Sequence, residues 1–510
     1  MPQPKWYGKS LAGLCMDNIV DNMEKWTASR SSELVSCHFY HLPYHCLEYM
    51  TENHCLTEDM FDLLLNPHTK VLDLLDSYLL PDFSPERNLR ICGLASVRCS
   101  QLTTLKINEG CQYYLNEKRN SKMEETFSSM LQLFEHLQIL DLSFTIYGAS
   151  CMLNLGSTCK PKISELLVQR CPGVTDSVMQ VFCNGQSSLQ KLSVRQTAVT
   201  LIGIRFAIEH LPELEELDCD NDSDILNVFR SIRNEKRESK KFSLTKLSMF
   251  VHDKVPYEKG SVSLMVDMCP TLVDLFRIGY GEEFTNEELL DFRELKLIKS
   301  LTISDESSIC FRGGVLPLLQ ARGLTLETLA LSVEVTSEEA YVIIECCPNI
   351  RDLTLVLKSN YRETPGPVVD GVYSSYCSPK EVIPLRKLEE IYLSNDIFFA
   401  ISRELLLLLL SSPALTYVCI RKCFTLDDQI IEEAFTKNKF KYLTILKFLD
   451  CSNVSQKGID FFLNETNPLC YIYVEGCGNV NFDRLKMMVK EKHWNIKFLY
   501  NDEDDEDVMQ

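Results

Sequence analysis

The chain repeats itself, and no other feature limits its fold as strongly. From residue 163 it reads ISELLVQRCPGVTD, placing Ile163, Leu166 and Val168 on an L-x-x-L-x-L frame followed by Cys171, Val174, Thr175 and Asp176. The frame returns as LQKLSVRQTAVT at Leu189, Leu192, Val194 and Val199, and again as LEELDC at Leu214, Leu217 and Cys219. The period of about 26 residues falls within the leucine-rich repeat range. Further copies start at 244, 298, 326, 350 and 388, the fullest at 415 (LTYVCIRKCFTLDD), 443 and 469, weaker ones at 71, 102 and 137, and an imperfect one at 272. The template counts about a dozen units. A chain of 510 residues exceeds what one compact core holds, and a fixed period selects a quasi-one-dimensional array over several unrelated domains.

The expected class is α/β: a leucine-rich repeat solenoid, a horseshoe with one parallel strand and one helix per repeat, preceded by a small helical N-terminal region. The L-x-L alternation puts every second side chain of a short strand on the core side. After each strand the apolar residues take helical spacing, as in Val178, Val181 and Phe182 or Ala340, Ile343 and Ile344. Pro212, Pro270 and Pro348 stand between a helix end and the next strand, where a missing N–H costs little. The apolar window 401–420 contains Arg403, Glu404 and Pro413, which suits a buried helix running into a strand and not a membrane span. The expected domains are an adaptor-binding region over 1–65, repeats over 66–500 and an acidic tail over 501–510. An insertion loop rich in Pro, Gly and Ser interrupts the repeats at 359–384.

The units resemble the cysteine-containing subfamily of leucine-rich repeats, whose cysteine closes the turn after the strand. Cys171, Cys423, Cys451 and Cys477 recur in that register. The chain has 22 cysteines scattered without Cys-x-x-Cys pairing, so they are expected as small buried hydrophobes in a reducing compartment, cytoplasmic or nuclear. No signal peptide is visible at the start of the sequence. A net charge of −20 without a compensating basic block makes nucleic acid and anionic membrane poor partners.

Chemistry is sparse. Gly8, Lys9 and Ser10 imitate the end of a phosphate-binding loop, but Gln3 stands where the first glycine belongs. The hydrolase, zinc-protease and dinucleotide motifs are missing. Glu215 with Glu216, and Glu389 with Glu390, lie on strands; one of each pair is expected in solvent, with no partner group nearby. Cys37, His38, His41, His45, Cys46, His54 and Cys55 form a soft-ligand cluster, but its spacing lacks the matched pairs of structural zinc sites, so no metal or cofactor is expected.

Residues before the first repeat are different. Leu11, Leu14, Cys15, Ile19 and Val20 form the stripe of an amphipathic helix, which could simply cap the solenoid. SLAGLCMDNI at 10–19 also resembles the BC box that binds the elongin B/C adaptor, with Ser10, Leu11, Cys15 and Ile19 in place. LPYHCLEYM at 42–50 resembles the cullin-2 box at Leu42, Pro43, Cys46 and Met50. His45 replaces the second proline of a cullin-5 box. Together with the repeats, these boxes look like the Zyg-11-related and Zer-related receptors of cullin-2 ubiquitin ligases, although the armadillo repeats of that family are missing here. The resemblance implies a non-catalytic substrate receptor. Leu11 would enter an apolar pocket on elongin C, with Cys15 and Ile19 on the same helix face, and Leu42, Pro43 and Cys46 would face cullin-2. The same Leu-Pro segment also resembles a degenerate F-box, which implies the F-box adaptor and cullin-1 instead. A plain interaction scaffold is the third reading. A protein substrate would meet the concave strand face, where Tyr417, Arg421, Lys447, Tyr471, Tyr473 and Glu475 project, aromatic and arginine content being typical of binding hot spots.

Overall fold

The structure is a computed structural model, and it describes residues 15, 18, 22, 61, 64–75, 84–109, 121–219, 225–235, 240–248, 258–278, 284–303, 309–357, 385–395, 401–463, 468–477, 480–492, 494 and 496–499. The soft-ligand cluster at 37–55, the insertion loop and the acidic tail lie outside the described residues. So does the adaptor-binding region apart from a few positions.

The chain divides into two compact units, one holding residues 9–248 with 267–271 and the other chiefly residues 249–266 and 272–510. The first unit contains β1 (Val71–Leu74), β2 (Thr104–Ile107), β3 (Ile139–Asp141), β4 (Glu165–Leu167), β5 (Lys191–Ser193), β6 (Glu216–Asp218) and β7 (Lys246–Ser248). Each pairs in parallel with the next in sequence order. The second unit contains β8 (Asp274–Ile278), β9 (Ser300–Ile303), β10 (Thr328–Val335), β11 (Asp352–Leu357), β12 (Glu390–Asn395), β13 (Tyr417–Arg421), β14 (Ile445–Leu449), β15 (Tyr471–Glu475) and β16 (Lys497–Leu499). These too are parallel and sequential. Strands that pair only with their neighbours in sequence, each followed by helical structure, make this a leucine-rich repeat fold. The described residues hold 16 strands, so the sequence template, at about a dozen, undercounts them. The starts named in the sequence nonetheless match β1 to β15 one for one, the three-residue strands among them, and only β16 has no named start.

The L-x-x-L-x-L positions form the core. Ile163, Leu166 and Val168 are fully buried, as are Leu443, Leu446 and Phe448. The helix Asp176–Gly185 buries Val178, Met179, Phe182 and Cys183. Val181, expected on the inner face, is only half-buried, because the stripe turns by one residue toward Met179 and Cys183. The window at 401–420 resolves into the helix Arg403–Leu410 and β13. Helices end at His210, Met268 and Cys346, each shortly before its proline. Starts are capped: Asp427 accepts from the Ile430 amide at 2.8 Å, and Thr336 with Glu339 closes a reciprocal box. In the sequence Trp494, Ile496 and Phe498 alternate as a terminal strand would, but the last strand begins at Lys497, and Trp494 and Ile496 precede it as buried residues.

The turn after each strand is built the same way several times. Phe144, Arg170, Gln196, Lys422, Asp450 and Gly476 all adopt left-handed backbone, with φ between 52° and 62°. The next residue is Thr145, Cys171, Thr197, Cys423, Cys451 or Cys477. The hydroxyls of Thr145 and Thr197 each donate 2.7 Å back into their own turn, to Leu142 and Val194. The Cys171 thiol reaches the preceding repeat instead, donating to the Leu142 carbonyl at 3.0 Å, and the Cys451 thiol likewise meets Ile420 at 3.5 Å. Burial raises the Cys423 thiol to about 11, so it stays protonated and available as a donor.

Two carboxylates clamp successive repeats by one design. Asp176 accepts from the Thr200 amide at 2.8 Å, the Thr200 hydroxyl at 2.6 Å and the Gly203 amide at 3.1 Å. Asp428 does the same for the Ser455 amide, the Ser455 hydroxyl and the Gly458 amide, at 2.8, 2.5 and 3.0 Å. Both glycines are required by space: a Cβ on either would sit 2.5 Å from the clamping oxygen.

Candidate functional site: the strand face of the second unit

Strand alternation sorts the side chains of each strand into buried residues and residues on the open face. In the first unit the open-face charges are matched. Lys106 meets Asp73 at 3.0 Å, Lys191 meets Glu216 at 3.2 Å and Arg195 meets Asp218 at 3.6 Å. Ser193 also donates to Asp218 at 2.8 Å. Glu216 and Glu389 therefore do have partners, contrary to the expectation from sequence. Lys191 comes from the neighbouring strand, and Arg351 reaches Glu389 at 2.6 Å. Their sequence neighbours Glu215 and Glu390 are exposed, Glu390 at an outward position of β12 and Glu215 just before β6.

The second unit's face changes character toward β12–β16. In-register pairing sets Glu390, Tyr417, Ile445, Tyr471 and Lys497 in one cross-strand row. Tyr392, Cys419, Lys447, Tyr473 and Leu499 form the next row, and Ser394, Arg421, Leu449 and Glu475 the third. The Lys447 ammonium lies between two rings, 5.7 Å from the Tyr417 centroid and 5.6 Å from that of Tyr471. The Tyr473 hydroxyl donates to Glu475 at 2.6 Å, and that bond with partial burial raises it to about 12. Burial, and then Cys419, push the Tyr417 hydroxyl well above its ordinary range. These phenols remain neutral donors at any physiological pH.

Arg421 and Lys447 form no ion pair among the described residues, unlike the open-face cations Lys106, Lys191 and Arg195 of the first unit. The Arg421 Nε is shielded from solvent and has no hydrogen-bond acceptor. Both cations lie in electrostatic range of Cys419, and Arg421 also of Tyr473. The structure therefore brings Tyr417, Arg421, Tyr471 and Tyr473 together on one half-buried face, with Lys447 at its centre. Tyr392 and Lys497 complete the patch and are not among the residues singled out from sequence. Their signal is parity: each stands at the outward position of its L-x-L unit.

On the adaptor side the structure describes Cys15 but leaves Leu11, Ile19, Leu42, Pro43 and Cys46 outside the described residues. Cys15 and Asn18 are helical and exposed, and the Asn22 amide donates to the Asn18 carbonyl at 2.7 Å. Among the described residues the helical cysteines Cys92, Cys151 and Cys183 are buried, Cys346 at the end of its helix is half-buried, and Cys15 is exposed. No three His, Cys, Asp or Glu side chains among the described residues are grouped to hold a metal ion. No helix among them is long and apolar enough to cross a membrane.

The repeat and its strand register define a leucine-rich repeat protein. No family model matches the chain, and no curated protein matches it. Among solved structures it is similar to the complex of Rad7 and Elc1 in yeast, at 14% identity over 88% of this chain and 96% of that one, with a TM-score of 0.45. A leucine-rich repeat protein of Leptospira interrogans is 14% identical over 87% of this chain and 92% of that one, TM-score 0.32. A TLR13 complex with single-stranded RNA is 12% identical over 81% and 62%, TM-score 0.33.

Proposed function

We propose that the protein is a non-catalytic substrate receptor of a cullin-RING ubiquitin ligase. The N-terminal helix docks on elongin B/C through Leu11, Cys15 and Ile19, Leu42, Pro43 and Cys46 face cullin-2, and a protein substrate lies on the strand face around Tyr417, Arg421, Tyr471 and Tyr473. The observation that carries this reading is the exposure of Cys15 on a helix, at the box position where a docking helix must offer a small apolar side chain to a partner. Cys92, Cys151 and Cys183, each inside a helix, are buried, as a cysteine used only for packing should be. The receptor would act by proximity: holding a substrate lysine beside a charged ubiquitin carrier raises effective concentration without any reacting group here.

Co-purification of the full chain with recombinant elongin B/C tests it. The unaltered chain should retain the adaptor, and Leu11→Ser with Cys15→Asp should lose at least about tenfold in affinity, a loss of about 1.4 kcal/mol, while far-ultraviolet circular dichroism stays unchanged. Retention of the F-box adaptor instead, or capture indifferent to both substitutions, sinks the elongin reading.

A further inference from the structure

The patch at β13–β16 sets three cations, Arg421, Lys447 and Lys497, against one carboxylate, Glu475, in a chain whose net charge is −20. Arg421, Lys447 and the exposed Lys497 stand on β13, β14 and β16 of one face, amid tyrosine hydroxyls. The Glu475 carboxylate accepts from Tyr473. Such a face is complementary to a run of carboxylates, with guanidinium and ammonium groups supplying charge and phenols supplying directed hydrogen bonds.

The same chain carries such a run at the place where it leaves this sheet. Asp502, Glu503, Asp504, Asp505, Glu506 and Asp507 are consecutive acids. The last strand ends at Leu499, which is in register with Tyr473, then Lys447, then Cys419. The row that contains Arg421 lies two positions further along the strands. With strands about 4.8 Å apart, Lys447 lies roughly 10 Å and Arg421 roughly 14 Å across the sheet from the end of β16. An extended chain covers about 3.3 Å per residue, so four or five residues suffice to lay acids over both cations. A tether this short sets an effective concentration of about millimolar.

We propose that the acidic run 502–507 docks on the Arg421–Lys447–Lys497 face of its own strands and occupies it in the resting protein. The proposal rests on the reading of this face as the substrate surface, and it adds a substrate class and a regulation. A ligand for the face must be acidic, and it must outcompete the tethered run. The adaptor helix has no part in it.

Two full-length chains test it, the natural one and one with all six acids converted to their amides (Asp502→Asn, Glu503→Gln, Asp504→Asn, Asp505→Asn, Glu506→Gln, Asp507→Asn). The probe is a fluorescent synthetic peptide NDEDDEDVMQ added in trans. The amide chain should bind it, and the natural chain should bind it at least about tenfold more weakly, as a millimolar tethered competitor requires. Adding Arg421→Gln and Lys447→Gln to the amide chain should abolish binding with circular dichroism unchanged. Equal binding to both chains, no binding to either, or binding indifferent to Arg421 and Lys447 overturns the proposal. Elongin B/C capture, measured on the same variants, should stay constant throughout. Its absence would count against the receptor reading and leave the peptide result to stand alone.

Discussion

At the residue scale, two positions convert local geometry into measurable stability. Gly458 sits in the helix Gln456–Asp460 with Asp428 Oδ1 2.5 Å from where a Cβ would lie. Alanine is otherwise the better helix residue, by about 1 kcal/mol, so a loss must come from crowding, by Asp428 Oδ1 first and by Ile431 Cδ1, 2.9 Å from the same Cβ position, second. Gly458→Ala should destabilise the protein by about 2 kcal/mol through this overpacking. The same change in an Asp428→Ala background should cost clearly less, since only the flexible end of Ile431 then has to shift, and the difference should appear as coupling in a double-mutant cycle followed by denaturant unfolding. Asp352 on β11 is the second position. Burial, reinforced by the neighbouring Glu390, raises its carboxyl to about 6. The folded state then binds more protons than the unfolded one between the ordinary carboxyl range and pH 6, so stability falls as pH rises through that window and levels off above it. Asp352→Asn should flatten this slope and stabilise the protein at pH 7 by on the order of 1 kcal/mol once screening of a half-exposed group is allowed for, seen as a higher melting temperature. A melting profile from pH 4 to 8 that is unchanged by the substitution would remove Asp352 as the cause.

At the element scale, the strands were legible in the sequence because each carries its own alternation. Every start named from the L-x-x-L-x-L frame, including the imperfect LVDLFR at 272, falls at an observed strand, the last being β15, while β16 was visible only as a vaguer alternation. Pairing partners across the face were harder to see. Glu216 with Lys191, or Tyr417 with Lys447 and Tyr471, are set by register between units of unequal length, and no single unit encodes that register. The turn chemistry was partly legible: cysteine marks the position, but its interchange with Thr145 and Thr197 shows only when the hydrogen bonds are traced. Buried amides that join elements left no sequence signal. Asn438, following the helix Asp428–Lys437, donates to the carbonyls of Leu410 at 3.2 Å and Ser412 at 2.5 Å and accepts from the Phe440 amide at 2.8 Å. Gln186 serves the first unit in the same way, bonding Leu155, Pro161 and Ile163, each at 3.0 Å. Asn438→Ala leaves these groups buried without partners and should cost about 2–3 kcal/mol. Asn438→Asp, isosteric but unable to donate, should cost at least as much, which separates lost bonding from lost volume in equilibrium unfolding.

For the whole molecule, the decisive property is that each strand pairs only with its neighbours in sequence. Stability in such an array is a sum of terms for each repeat and for each junction, so damage should stay local. Phe182 is fully buried in the helix Asp176–Gly185. That helix packs so closely on the helix Gly148–Thr158 that a Cβ on Gly156 would meet the Val181 carbonyl oxygen at 2.4 Å. Phe182→Ala should remove about 3–5 kcal/mol. In a globular domain that loss would lower protection everywhere, because unfolding is all-or-none. Here hydrogen exchange should quicken in β4 and β5 and the helices at 148–158, 176–185 and 201–210, while β13–β15 keep their rates, since no pairing carries the loss that far. Mass-spectrometric exchange on the full chain reads both regions at once. Equal acceleration at β4 and β14 would mean that the chain unfolds as one cooperative body, and it would also predict that ligands bound at β13–β15 stabilise the first unit.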